Sequence, residues 1–274
     1  MRRAVTLLQS ALDADLHVTE TRNAPALAEW LEQRAIGYRT VVVVGGDGSL
    51  GIAYNVLAGR DVVLGHVPAG FGNATAHLLR LPREPERVAE IVSRGSSRGL
   101  DLVRVEGDGV SRLALFAGIG WDALVAGRYA DAGARGLAGW AWAVASSLPD
   151  LRVRPPVEVR IDGRHVYEGP IEMMVAGTTP YFGRGLLANP GARPDRGALT
   201  VRVYRGPPTS FAVELLRWIA KRTARTAPHQ ASTAEILRTD GGRLLLQADG
   251  DVLGERERWQ FGIAPAATRL IGNW

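Results

Sequence analysis

Residues 41–57 read "VVVVGGDGSLGIAYNVL". Four valines run into Gly45-Gly46-Asp47-Gly48-Ser49, and a helical pattern follows. An all-apolar strand of this kind is buried on both faces in parallel sheets. A strand that ends in a glycine turn and opens a helix gathers backbone N–H groups at the helix N-terminus, where they suit phosphate. Glycine lets another group approach the backbone closely. The acid is the odd member. Asp47 would repel a phosphate unless a cation or proton lay between them. It reads either as a turn former, a role that Asn would fill equally since Asp-Gly and Asn-Gly turns are common, or as a functional group.

The same design recurs in "HVPAGFGNATAHLL" (66–79), now with Asn73 near the helix cap. Two adjacent parallel strands ending in glycine turns form a crevice at the carboxyl edge of the sheet, where α/β proteins bind ligands. Around this pair, "RAVTLLQSAL" reads as helix, "LHVTET" as strand and "APALAEWLEQRA" as helix, with Ala26, Leu27, Trp30 and Leu31 as its apolar positions. Ser49 is expected to cap the helix that follows the first turn. The rhythm is that of a parallel α/β sheet. Gly46-x-Gly48-x-x-Gly51 also fits a dinucleotide fingerprint. That fingerprint wants an acid about 20 residues on, and here His66–Pro68 offer none.

After about Leu100 the pattern changes to short strands broken by Gly, Asp and Pro: "LDLVRVEG", "RLALFAGIG", "VEVRIDGRHVYEG", "IEMMVAG", "ALTVRVYRG", "RLLLQADG" and "RERWQFGIAP". Asp162-Gly163 is a hairpin turn candidate. Helices interrupt at 121–148 and 210–225. The expected fold is a parallel-sheet α/β domain over 1–99 and a β-rich, mainly antiparallel domain over 100–265. A tail over 266–274 is free to return to the first domain.

The 274 residues carry a net charge of +5, with 46% hydrophobic and 22% charged residues, as in an ordinary globular protein. There are no cysteines, which excludes disulfides, Cys-based zinc sites and thiol nucleophiles. Lys221 is the only lysine and lies in no Gly-rich loop, so there is no P-loop lysine. Asp13 and Asp15 break the early apolar run, which argues against a signal peptide. "GLAGWAWAVASSL" (136–148) is too short to span a bilayer, and a core helix is expected there. "LLRWIAKRTAR" (215–225) reads as a solvated helix, with a basic membrane-facing helix as the alternative. The scattered histidines show no metal-ligand spacing.

"GGDGSL" followed by "PAGFGNATA" resembles the paired motifs of the diacylglycerol kinase catalytic-domain family, and the wording of "PAGFGNATA" is most similar to the sphingosine-kinase branch. "FAGIGWDALV" (116–125), "YFGRGLLANPGARPDRGALTVRVY" (181–204) and "LLLQADGDVLG" (244–254) resemble further segments of that family in order. The resemblance implies a two-domain lipid kinase using ATP and magnesium. It implies nucleotide contacts from Gly45, Gly46, Asp47, Gly48, Ser49, Gly70, Phe71, Gly72 and Asn73. It makes Asp47, Asp249 and Asp251 the catalytic acids, with the late pair supplying the proton acceptor. It further implies a lipid substrate presented at a membrane surface, a cytoplasmic protein that is at most peripheral to the membrane, and no nucleic-acid partner; a homodimer stays open. The chain departs from the family pattern in several places. It begins without the family's first strand and Asn-Pro-x-Ser-Gly loop. Ile52 replaces a Glu, Phe71 a phosphate-contacting Thr or Ser, and Arg196 an Asp. Asp251 replaces a Glu. Two alternatives stay open: a member that binds nucleotide or lipid without turnover, and a soluble-substrate kinase of the NAD-kinase type, for which no acceptor motif is found.

Overall fold

A computed structural model of the chain describes residues 2–11, 17–134, 136–220, 222 and 224–274. It divides into two compact units. Unit 1 holds residues 1–100, Gly183–Gly185 and Pro265–Trp274, and unit 2 holds Asp101–Phe182 and Leu186–Ala264. The short segment Gly183–Gly185 thus groups with the first unit although unit 2 flanks it on both sides.

In unit 1 the order is α1 (Arg2–Ala11), α2 (Ala24–Arg34), β1 (Thr40–Gly45), α3 (Asp47–Leu57), β2 (Val63–Pro68), α4 (Ala74–Leu78) and α5 (Pro85–Arg94). β1 and β2 pair in parallel, Thr40 against Val63 through Gly45 against Pro68. β2 also pairs in parallel with the end of the last strand, at Arg269 and Leu270. The expected parallel α/β rhythm is therefore present. α5, which the sequence reading does not name, places Val88, Ile91 and Val92 on one face. They pack with Leu8 of α1, Val67 of β2 and Ile271. Pro85 starts this helix and Gly95, at φ 65°, ends it.

Two local expectations are corrected. α3 begins at Asp47, with Gly46 as its cap residue and no side-chain cap, so Ser49 is inside the helix and does not start it. Residues 17–21 of "LHVTET" form no strand. Residue 16 of that stretch lies outside the described residues, as do Lys221 and Thr223 of the basic stretch.

Unit 2 begins within β3 (Ser97–Gly107), followed by β4 (Val110–Ala114), β5 (Phe116–Gly120), α6 (Trp121–Asp131), α7 (Gly136–Ser147), β6 (Pro156–Ile161), β7 (Arg164–Pro170), β8 (Met173–Gly177), β9 (Leu199–Tyr204), α8 (Pro208–Ile219), β10 (His229–Ala231), β11 (Thr233–Arg238), β12 (Leu244–Ala248), β13 (Asp251–Arg256) and β14 (Arg258–Ile271). One antiparallel sheet runs β10-β9-β8-β5-β12-β13. A second set of antiparallel pairings joins the first part of β14 to β11, β11 to β6 and β6 to β7. This is the expected β-rich region. Side chains from both sets form one core, among them Ile119, Leu246 and Val201 from the first and Val159, Ile236 and Phe261 from the second. The other face of the first sheet is covered by α6, α7 and α8 through Trp121, Ala143, Phe211 and Trp218.

α7 is only partly the core helix its composition suggests. Gly139, Ala143 and Ser147 are buried, while Leu137 and Trp142 are exposed. α8 likewise buries Phe211, Glu214 and Trp218 and exposes Leu216 and Ile219.

Trp259 is the largest fully buried side chain of unit 2, and its indole N–H donates to the Leu244 carbonyl at 2.8 Å. Gly107 lies so close to the ring that a Cβ there would sit 2.7 Å from it. Trp259→Ala should lower unfolding stability by about 3–5 kcal/mol, read as a drop in the urea midpoint of unit 2 signals; a change under about 1 kcal/mol would show that the site collapses around the loss.

Candidate functional site

The parallel register of β1 and β2 brings their two turns side by side, because Gly45 lies opposite Pro68. The Ala69 N–H then donates to the Gly45 carbonyl at 2.8 Å. The next residues meet backbone to backbone. A Cβ on Gly70 would sit 2.5 Å from the Gly46 Cα, and one on Gly46 would sit 3.1 Å from the Gly70 Cα. Under 3 Å is a contact no ordinary side chain tolerates, so glycine at 70 is a steric requirement of the neighbouring turn.

Asp47 ties the two turns together. Its Oδ2 accepts from the Ala74 N–H at 2.9 Å and its Oδ1 from the Thr75 N–H at 3.0 Å. These are first-turn amides of α4, which have no acceptor inside that helix. Asn73 stands at the cap position of α4 but does not cap it. It sits in the left-handed region at φ 45°, its side-chain carbonyl accepts the Gly70 N–H, and its amide donates to the Gly70 carbonyl. Asn73 closes its own turn, and Asp47 does the capping from the other one.

All nine residues expected to contact nucleotide lie in unit 1 at these two turns. Gly48 has open space where a Cβ would be, and Gly72 faces the Asp47 carboxylate, 3.1 Å from where its own Cβ would lie. By helix geometry the first-turn amides of α3, at Asp47, Gly48 and Ser49, have no acceptor within the helix; the first helical bond runs from the Leu50 N–H to the Gly46 carbonyl. A row of such donors can receive phosphate oxygens. Phe71 carries no polar atom, but the Arg184 guanidinium lies 4.7 Å over its ring centroid. Sequence reasoning missed Arg184, which is more than 100 positions away.

His66 was also missed. It is fully buried in β2, with the Val43 backbone beside its ring. Burial lowers its pKa, partly offset by the nearby Asp47 carboxylate.

Asp249 and Asp251 lie in unit 2, where Asp249-Gly250 is the two-residue turn between β12 and β13. Both turn residues have positive φ, 50° and 94°, the geometry that favours Asp-Gly in hairpins. The Asp249 carboxylate accepts from the Leu115 and Phe116 N–H groups at 3.0 Å. It braces the break between β4 and β5. Asp251 is different: its side chain is 55% exposed, and one oxygen pairs with Arg112 at 3.1 Å.

A further acid supports this turn. Asp122, in the first turn of α6, is buried, and its Oδ2 accepts from the Gln247 side chain at 2.9 Å. The Gln247 carbonyl oxygen in turn accepts the Gly250 N–H at 2.8 Å. Only glycine fits at 118, because a Cβ there would lie 1.8 Å from the Asp122 carboxylate. The spacing Gly118-x-Gly120-x-Asp122 held this signal in the sequence. Burial raises the Asp122 pKa to about 7, against the lowering effect of the Gln247 bond.

Among the described residues no three of His, Asp and Glu converge so as to hold a metal ion. The magnesium implied by the resemblance thus has no protein-built cage among them. A magnesium ion in such sites takes few carboxylates and is bound largely by substrate phosphates and water.

Residues 1–105 match the family described as diacylglycerol kinase catalytic domain. A protein named diacylglycerol kinase from Mycobacterium tuberculosis is 31% identical over 223 residues, covering 79% of this chain and 72% of the relative. A protein of Stenotrophomonas maltophilia named "Probable lipid kinase YegS-like" is 28% identical over 178 residues, covering 61% of this chain and 56% of that one. A crystal structure of a diacylglycerol kinase from Bacillus anthracis superposes with a TM-score of 0.79 over 99% of this chain and 92% of its own, at 20% identity; that likeness establishes the fold.

Two outcomes are expected from this geometry. Asn at 47 has one acceptor oxygen where Asp has two, and its NH2 would face a backbone donor. The expectation that amide and acid serve this turn equally is therefore corrected. Asp47→Asn should cost about 1–2 kcal/mol, with faster hydrogen exchange at Ala74 and Thr75; unchanged exchange would show the bridge to be dispensable. Asp122, with its pKa raised from 3.8 to about 7, binds its proton more tightly folded than unfolded. Stability should therefore fall as pH rises from about 4 to about 7. Asp122→Asn should flatten that decline in urea titrations across the range, and an unchanged slope would assign it to other groups.

Proposed function

The chain belongs to the diacylglycerol kinase catalytic-domain family, and from that premise we propose that it is an ATP-dependent lipid kinase acting on the free hydroxyl of diacylglycerol or a sphingoid-like lipid. The observation that carries the reading is the pair of glycine turns. Two coupled turns, one of them opening onto the first-turn amides of α3, suit the phosphates of a nucleotide. In the proposed reaction the acceptor oxygen attacks the γ-phosphorus of ATP, the bond to the β–γ bridging oxygen breaks, and ADP leaves. The hydroxyl proton passes to a carboxylate. Such transfer relies on positioning and charge more than on covalent chemistry by the protein.

The three candidate acids are not equal in this role. Asp47 and Asp249 already hold two backbone N–H groups each. Carboxylate oxygens held in such bonds point at backbone and not at an acceptor hydroxyl. Asp251 is exposed and has one oxygen outside its contact with Arg112. We assign it the proton-accepting role and give Asp47 the task of holding the second turn. A magnesium ion bound with the nucleotide would be held mainly by the phosphates and would neutralise charge developing on them.

The lipid is met at a membrane surface in this reading. No helix among the described residues is long and apolar enough to cross a membrane. Unit 2 exposes Leu137, Trp142, Val153, Leu216 and Ile219, large apolar side chains that can enter an interface without spanning it.

The test is ATP consumption on vesicles containing diacylglycerol or sphingosine, with NAD as the soluble control acceptor. Transfer to a lipid and none to NAD is expected. Asp251→Asn should cut kcat by on the order of 10²-fold with an unchanged melting temperature, since its side chain is largely exposed. Binding of ATP without transfer to any acceptor would favour the reading in which the fold binds without turnover. Full activity in Asp251→Asn would move the base elsewhere.

A further inference from the structure

Gly183-Arg184-Gly185 is a small insertion of unit 1 into the sequence of unit 2. Arg184 has φ 59° and ψ 21°, the left-handed region where a side chain is disfavoured and glycine is not. An arginine in this conformation is retained against a local cost. Its surroundings suggest why. The Arg184 N–H donates to the Gly72 carbonyl at 2.8 Å, which fixes the residue against the second glycine turn. The neighbouring Gly185 packs on His77 of α4, where a Cβ would lie 2.8 Å from the ring. The guanidinium itself lies 4.7 Å over the Phe71 ring, in that same turn. Arg184 is exposed, and among the described residues no carboxylate pairs with it.

A guanidinium held over an aromatic face keeps its charge and can still offer N–H donors to an anion. The turn that carries Phe71 is bridged by Asp47 from the neighbouring turn, a negative group at the start of α3. A phosphate entering the turns would be repelled by Asp47 and needs a fixed positive charge to offset it. The sequence places no lysine in either glycine turn. Resting on the nucleotide site argued above, we propose that Arg184, held on Phe71, is a phosphate-binding residue of that site, contacting the polyphosphate of the bound nucleotide. Phe71 then acts as the platform that positions the cation, and the turn receives phosphate through an arginine in place of a hydroxyl.

Binding of ATP, ADP, AMP and adenosine to the whole chain by calorimetry tests this, using wild type, Arg184→Gly and Gly48→Val. Glycine is at ease at φ 59°, so Arg184→Gly should fold and melt no lower than wild type without nucleotide. It should weaken ATP and ADP by about tenfold or more, as for a lost charge-assisted hydrogen bond, and leave adenosine unchanged. Its ATP affinity should also depend less on salt. Gly48→Val, placed in open space beside the α3 amides, reports on the site itself. If Gly48→Val weakens ATP and Arg184→Gly does not, the Arg184 assignment is wrong and the site stands. An equal loss of adenosine and ATP in Arg184→Gly also overturns the assignment, because it puts the arginine on the base. If wild type binds none of the four, or if neither variant changes ATP binding, the site reading fails and the Arg184 assignment with it.

Discussion

The Asp47 carboxylate, bonded through both oxygens to the Ala74 and Thr75 amides, is the constraint on which unit 1's functional edge depends. α4 has only five residues. A helix that short has little stability of its own, and its natural cap residue, Asn73, is occupied in closing the turn before it. Without an external acceptor the start of α4 would leave donors unsatisfied in a half-buried place, a cost of about 1–3 kcal/mol each. Asp47 supplies that acceptor from the neighbouring strand's turn. The bridge works only if the turns are close, and they are close because Gly46 and Gly70 lack side chains. Register, glycine and acid are three parts of one device.

The device changes how an acid in a glycine turn should be understood. Charge alone makes Asp47 look like a catalyst or a metal ligand. Its geometry makes it first a cap for a second helix, a role that needs both oxygens. Asp249 repeats the theme in unit 2, where it accepts the Leu115 and Phe116 amides. Asp162, at the corresponding place of another Asp-Gly hairpin, accepts the Ser232 and Thr233 amides. In each case a carboxylate in or beside a tight turn braces a separate piece of backbone. Such bonds occupy the carboxylate oxygens with structural work. This leaves Asp251, just past the hairpin, as the acid with an uncommitted oxygen.

Much of this was legible in the sequence, and the parts that were not share a cause. "TVVVV" announces a buried parallel strand because apolar character without alternation fits little else of that length. The hairpin at Asp162-Gly163 follows from turn chemistry, with φ of 48° and 75° as that dipeptide prefers. The misses needed long-range information. Residues 17–21 have a strand-like composition but no strand partner among the described residues, and pattern alone cannot supply one. Ser49 has the chemistry of a cap, yet the helix starts two residues earlier because Gly46 is free to take the extended conformation before it. α7 is apolar enough for a core helix, but its fully buried residues are small ones and Trp142 stays exposed. The Asp122–Gln247 contact spans 125 positions, and no local pattern marks Gln247 as its partner.

Substitutions that seem to be losses when taken singly can also belong to pairs. Phe71 lacks the hydroxyl expected of a phosphate-binding turn, and Arg184 occupies a backbone conformation suited to glycine. Neither is favourable by itself: one removes a donor, and the other adds conformational strain of roughly 1 kcal/mol. Placed together they compensate, because the ring gives the guanidinium a face to rest on and the Gly72 carbonyl holds its backbone in place. The result restores donor capacity to the turn and adds a positive charge to the Phe71 turn, which Asp47 bridges. A carboxylate that is committed to capping cannot leave, so a cation brought from elsewhere in the chain helps to offset it for an incoming phosphate. Gly183–Gly185, which joins unit 1 from within the sequence of unit 2, is the segment that brings it.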